Sequence, residues 1–196
     1  MKSVFGILSY FVFVFLLGCN QQSIDNQINN DSLSESCDFK KENLPEAFKD
    51  IPVGIKVVNE PDTIYAELNE GGGKKYIWKH TTTLQAINND LQIIEFGSYN
   101  LKPDGWHLGN KTKRPYTSVD FDKWYCRKKN GIITFDYCTN GNILKNIEYI
   151  DPSNYCISND SLVSRHGLWY YIGTDSSGNK FMGYDSYVTI NKLKDK

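Results

Sequence analysis

Residues 44–196 of this chain read as one mainly-β domain, an antiparallel β-sandwich or open barrel with one short helix. Three observations predict it. Short runs of β-branched and aromatic residues recur along this stretch, each bounded by Gly, Asn, Asp or Pro turn signals. In residues 75–86 the bulky residues fall on every second position, the period of a strand with one packed face. Aromatic side chains make up 14% of the chain, enough for a substantial core in which Tyr and Trp are prominent.

The elements follow in order from residue 44. Residues 64–68 and 75–86 flank Glu70-Gly71-Gly72-Gly73, whose glycines adopt the positive φ that a hairpin turn requires. In the second arm Tyr76, Trp78, His80, Thr82, Leu84 and Ala86 share the packed face, and Lys75, Ile77, Lys79, Thr81, Thr83 and Gln85 share the wet one. Asn88-Asn89-Asp90 turns the chain into residues 91–99, where Ile93, Ile94 and Phe96 occupy both faces and predict a central strand covered on both sides. Thr117-Ser118-Val119-Asp120 fits a capping arrangement. Phe121, Trp124 and Tyr125 then lie on one side of a short helix, with Lys128 and Lys129 near its negative end; an aromatic edge strand is the alternative. Asn140-Gly141 predicts a hairpin between residues 132–138 and 143–150, closed by a turn at Asp151-Pro152-Ser153-Asn154. A last hairpin joins residues 168–173 to 181–190 through Asp175-Ser176-Ser177-Gly178-Asn179.

The chain ahead of this domain has a different character. Met1-Lys2 begins it with positive charge, and residues 3–17 form an apolar run shorter than the roughly 20 residues that span a bilayer. Residues 20–43 are rich in Asn, Gln, Ser and Asp, a composition that cannot bury enough apolar surface to offset its ordering entropy. They read as a flexible tether with a mean reach of about 25–30 Å.

Leu16-Leu17-Gly18-Cys19 resembles the lipobox of bacterial lipoproteins. The resemblance covers residues 1–19 alone. It implies that residues 1–18 are a signal peptide, that Cys19 carries a diacylglyceryl group, and that residues 19–43 connect this anchor to the domain. An ordinary secretory signal is the competing reading. Asn20 follows the cysteine, where Asp marks inner-membrane retention in enteric lipoproteins. An outer-membrane anchor facing the periplasm is therefore expected, with surface exposure left open.

Removing residues 1–18 takes away Lys2 and no acid, leaving a net charge of about −2. Such a balance offers no electrostatic footprint for nucleic acid. With Cys19 lipidated, four cysteines remain: Cys37, Cys126, Cys138 and Cys156. An even set in an exported chain suggests disulfides, and four cysteines allow three pairings. Cys37 sits by the tether while the other three cluster within one segment, and a Cys126–Cys138 bridge is preferred. No C-x-x-C or H-x-x-x-H spacing points to a metal, and no cofactor is expected.

Candidate chemistry is sparse. No G-x-S-x-G nucleophile turn occurs, and Gly71-Gly72-Gly73-Lys74 lacks the spacing of a phosphate loop. Asp120 and Asp122 sit two positions apart on the predicted helix and diverge. The aromatic side chains offer more. Trp106 and His107 fall in a predicted loop, Lys102-Pro103-Asp104-Gly105-Trp106-His107, where a large aromatic is hard to explain as core. Trp78, His80, His166 and Trp169 complete the candidate binding surface. The expected role is non-catalytic, an envelope accessory or binding module for a protein or glycan. An envelope enzyme or metal protein using His80, His107 and His166 is the alternative.

A Cys19→Ala substitution is expected to abolish incorporation of labelled palmitate and to shift the chain from the membrane to the soluble fraction. Undiminished labelling would exclude Cys19 as the anchor.

Overall fold

The computed structural model describes residues 44–195 apart from 72, 130–131, 135–138 and 159–160. The described chain is mainly β with one short α-helix. Its strands are β1 (Ile55–Glu60), β2 (Thr63–Leu68), β3 (Tyr76–Ala86), β4 (Leu91–Lys102), β5 (Gly105–Leu108), β6 (Cys126–Lys129), β7 (Ile132–Thr134), β8 (Asn142–Ile143), β9 (Glu148–Ser158), β10 (Arg165–Thr174) and β11 (Lys180–Leu193). Helix α1 (Ser118–Trp124) lies between β5 and β6, and a 3-10 turn, Glu46–Phe48, precedes β1.

The strands are ordered β5-β4-β10-β11-β2-β3-β9-β6-β7, with β1 beside β3 and β8 beside β4. Pairing is antiparallel except where β11 meets β2, which run parallel. The exception follows from the register of the first two strands. β1 pairs with residues 81–86 of β3, and the end of β2 pairs with Tyr76 and Ile77 of the same strand. The two therefore continue one another along β3, and between them the chain leaves β3 to run beside β11. This bend joins two layers, one built on β4, β10 and β11 and the other on β3, β9 and β6.

The larger core fills the space between those layers. It holds Ile55 and Val57 from β1, Trp78 and Leu84 from β3, Ile93 and Phe96 from β4, Trp169 and Tyr171 from β10, and Tyr187 from β11. Phe96 is its hub. Its ring is parallel to that of Tyr171 at 5.6 Å and meets Phe121, Trp124 and Tyr125 edge-on at 5.5–6.1 Å. A smaller cluster of Leu168, Tyr170, Ile172 and Met182 covers the opposite face of β10 and β11, capped by Leu44 and Phe48.

The burial of β3 follows the predicted alternation, with Trp78, His80, Thr82, Leu84 and Ala86 inside; Ile77 on the other face is buried as well. Helix α1 forms where expected, and the Asp120 carboxylate accepts the Thr117 backbone N–H at 3.0 Å. It ends at Trp124, so Lys128 and Lys129 belong to β6 rather than to a helix terminus. The β2–β3 and β10–β11 hairpins are as predicted.

Three local expectations are corrected. Ile94 is exposed, because it is the extra residue of a β-bulge: Ile172 pairs with Glu95 and Gly173 with Ile93. That insertion places Leu91 and Ile93 on the same face as Phe96 and Ser98. Asn140-Gly141 does not close a hairpin, since β7 pairs with β6 while Ile143 pairs with Leu91 of β4. Asp151-Pro152-Ser153-Asn154 is a bulge inside β9, where Asp151 faces Thr82 and Asn154 faces His80. A bulge tolerates proline because the ladder is already interrupted there.

Truncating the hub should be costly. Phe96→Ala is expected to lower the unfolding free energy by about 3–5 kcal/mol, read from denaturant titration. An unchanged midpoint would mean that the aromatic packing does not hold the layers together.

Candidate functional site

At one end of the two layers a cleft of about 780 Å³ opens, floored by Trp169 and Tyr187. One wall comes from β4, the segment after β5, and α1; the other comes from the bulged part of β9. Asn110 builds the first wall. It is 6% exposed, its side-chain oxygen accepts the Ser98 N–H at 2.8 Å, and its amide donates to Arg114 O at 2.9 Å. Gly97 makes room for it, because a Cβ there would come within 2.5 Å of the Asn110 amide. The segment so pinned returns Tyr116 to β4 through reciprocal backbone hydrogen bonds with Phe96 at 2.8 and 3.1 Å. Tyr116 and Trp124 then pack edge to face at 4.6 Å and form an aromatic wall.

The β9 wall contributes a different chemistry. Asp151 is 8% exposed, accepts the Ser153 N–H at 3.0 Å, and is pushed up to about 6 by burial. Behind it the Tyr125 and Tyr171 hydroxyls are hydrogen-bonded to one another, and burial pushes both phenols up. Cys156 is a free thiol that donates to the Tyr187 hydroxyl at 3.5 Å, and burial raises its pKa. Arg165 enters from the start of β10 with its guanidinium 5.7 Å from the Trp78 ring.

The residues singled out in the sequence are dispersed over this frame. Trp78 is fully buried and donates its indole N–H to Ile190 O at 2.9 Å. Trp169 is 6% exposed, lines the cleft, and its indole N–H makes no hydrogen bond. His80 is 3% exposed, stacks on Tyr187 at 5.1 Å, and has neither ring nitrogen hydrogen-bonded; burial lowers it to about 4. Trp106 and His166 meet at 6.2 Å, with Trp106 packed against the smaller cluster. His107 is half-exposed, with Nε2 2.8 Å from Asp104 Oδ1.

The three histidines are therefore not brought together, and among the described residues no group of three or more His, Cys, Asp or Glu is placed to hold a metal. Trp106 is not in a loop. It belongs to β5, paired with Leu101 in a tight hairpin whose Gly105 has φ +119°. Cys37 and Cys138 lie outside the described residues, as does the Cys126 side chain, and so does the preferred Cys126–Cys138 bridge. The backbone does exclude one pairing. Cys126 sits opposite Ile150, six residues from Cys156 on β9. At about 3.3 Å per residue that is roughly 20 Å, far beyond disulfide reach.

Sequence reasoning missed Asn110, Asp151, Tyr116 and Tyr187. A proline within an otherwise strand-like run, at Pro152, was the available sign of the bulge that aims Asp151 inward.

Fold and site thus define a two-layered β domain with an aromatic, polar-edged cleft between its layers. No family model matches the chain, and no curated protein matches it. Among solved structures it is similar to Spo0M, a sporulation control protein from Bacillus subtilis, at 14% identity and a TM-score of 0.29. The match covers 70% of this chain and 49% of that one, so the chain spans about half the length of that protein.

The buried titratable groups predict opposing pH effects. His80 is lowered to about 4 from 6.5, so its contribution to stability is present above pH 6.5 and is lost as pH falls toward 4. Asp151 is raised from 3.8 to about 6, so its contribution is present below pH 4 and is lost as pH rises toward 6. Each amounts to about 3 kcal/mol at 1.36 kcal/mol per pKa unit. His166 acts with His80 and Asp185 with Asp151, in parent and variants alike. As pH rises from 4 to 6, the stability difference from the parent should therefore move upward for Asp151→Asn and downward for His80→Phe, whatever its value at pH 4, by chemical denaturation at each pH. Parallel pH profiles for all three proteins would refute the assignment.

Proposed function

We propose that this chain is a lipid-anchored envelope lipoprotein whose domain binds a protein or glycan without chemical turnover, and that the cleft between the layers is its binding face. The cleft itself carries the reading. Its volume falls within the roughly 300–1,000 Å³ range of ligand sites, and aromatic surface there adjoins a few fixed polar groups. Tyr and Trp suit such a face because each combines apolar area with a polar handle.

The chemistry of the lining agrees with binding rather than turnover. A thiol whose pKa is raised by burial is a poor nucleophile, and Cys156 is of that kind. The expected surface around Trp106 and His107 is displaced by this reading, since Trp106 packs inward against the smaller cluster. In the envelope, the Cys19 anchor and residues 19–43 would hold the cleft a few tens of ångströms from the outer membrane, facing the periplasm. Nucleic acid is not among the expected partners.

Site-specific photo-crosslinking in intact cells tests the proposal. A photoreactive residue in place of Tyr155, which lines the cleft and is 52% exposed, should yield adducts. The same residue in place of Val53, 53% exposed and away from the cleft, should yield none. Adducts from Val53 or Trp106 but not from Tyr155 would defeat the assignment of the cleft.

A further inference from the structure

The charged residues of the cleft are unevenly matched. Lys74, Lys111, Lys123 and Arg165 line it, against one carboxyl group, Asp151, in a chain whose net charge is −1. The ion pairs of the described residues involve none of these four cations. Asp151, raised to about 6 by burial, still ionises at neutral pH and offsets one of the four charges, which leaves the cations in excess. Among the described residues these four cations have no carboxylate partner, and around a concave, partly apolar floor they focus a positive potential where a ligand would enter.

The apolar part of the lining is aromatic rather than aliphatic. Tyr116, Trp124 and Trp169 supply it, whereas Ile157 is the lone β-branched aliphatic among the lining residues. Flat aromatic faces suit the C–H faces of pyranose rings, and the neighbouring Ser and Asn side chains suit hydroxyl groups. An acyl chain would need no polar neighbours, and a small inorganic anion would need no aromatic wall. A planar guanidinium pairs with a carboxylate through two parallel hydrogen bonds, a geometry that lysine lacks.

Resting on the reading of the cleft as the binding face, we propose that its ligand is a carboxylated glycan, with sugar rings against Tyr116 and Trp124 and a carboxylate held by Arg165. The rim lysines, Lys111 and Lys123, steer the chain in. Binding of this kind weakens as salt screens the rim.

The test uses the full lipidated chain in phosphatidylcholine nanodiscs and calorimetric titration with four probes: tri-galacturonate, neutral maltotriose, inorganic phosphate and octanoate. Tri-galacturonate should bind at least about tenfold more tightly than the other three, the margin of one charge-assisted hydrogen bond. Its affinity should fall between about 0.05 and 0.5 M salt. Arg165→Gln should cost about tenfold or more against tri-galacturonate and leave maltotriose unchanged. Because Arg165 also packs on Trp78, the exposed pair Lys111→Gln with Lys123→Gln provides a second arm that leaves the fold undisturbed. Equal affinity for maltotriose would overturn the acidic class while leaving the cleft as a binding face. Tighter binding of phosphate or octanoate would overturn the glycan, as would full affinity in the double lysine variant. Silence with all four probes would also overturn it, and adducts from Tyr155 would then decide separately whether the cleft binds anything.

Discussion

A chain of buried hydrogen bonds across four strands is the constraint on which the two-layered arrangement depends. Asp185 on β11 accepts the Asn59 N–H at 2.7 Å, and the Asn59 amide donates to the Asp185 carbonyl at 3.0 Å. Thr82 on β3 donates to the Asn59 side-chain oxygen at 2.8 Å, and Asn154 on β9 donates to Thr82 at 2.9 Å. Asn59, Thr82 and Asn154 are all less than 10% exposed. In that low-dielectric setting a satisfied network strengthens itself, while a missing partner costs about 1–3 kcal/mol. Asn59 stands where β1 is about to leave β3 for β11, so the network clasps the bend that makes one molecule of two layers. Apolar packing alone is non-directional and would not select this crossing.

Directional clasping at the seam and aromatic packing at the centre divide the work. The rings around Phe96 set the spacing between β4, β10 and α1, and α1 in turn carries Trp124 to the cleft wall. Asp122 on the outer side of α1 accepts the N–H groups of Asn140 and Gly141 at 2.9 and 2.7 Å. Those two residues have φ of 58° and 70°, which aims both donors at one carboxylate. The bulge at Asp151–Asn154 turns the Asp151 side chain inward and adds twist to β9 beside the opening. The cleft is thus the place where helix, bulge and pinned segment hold the layers apart.

Much of the fold was legible because its signals are local. Alternation along β3, glycines after β2, the Thr117–Asp120 capping pair and the Asp175–Asn179 turn each act within a few residues. The misreadings share a cause. Asn140-Gly141 has the composition of a hairpin turn, yet positive φ is equally useful for presenting donors to Asp122, and no local rule separates the two uses. Ile94 was expected inside because an uninterrupted strand was assumed, and the bulge that ejects it is set by pairing with β10, far away in sequence. The parallel β2–β11 pairing and the cleft depend on such long-range contacts, so Asn110 and Tyr187 carried no mark in the sequence. The histidines illustrate the converse: proximity to tryptophan in sequence led to three separate environments in space.

Where local rules are broken without compensation, the breaks gather beside the cleft. His80 leaves both ring nitrogens without a hydrogen bond, and Trp169 leaves its indole N–H unpaired. Each such group costs about 1–3 kcal/mol relative to a paired one, and apolar replacements of similar shape would remove the cost. Asp151, a carboxyl group held largely out of water, adds to the same account. A core selected for stability alone would place phenylalanine or leucine at these positions, as it does at Phe96 and Leu84. Two polar side chains without a hydrogen bond and a buried carboxyl group at one end of the domain are therefore hard to derive from folding alone, and the proposed binding face would account for them together.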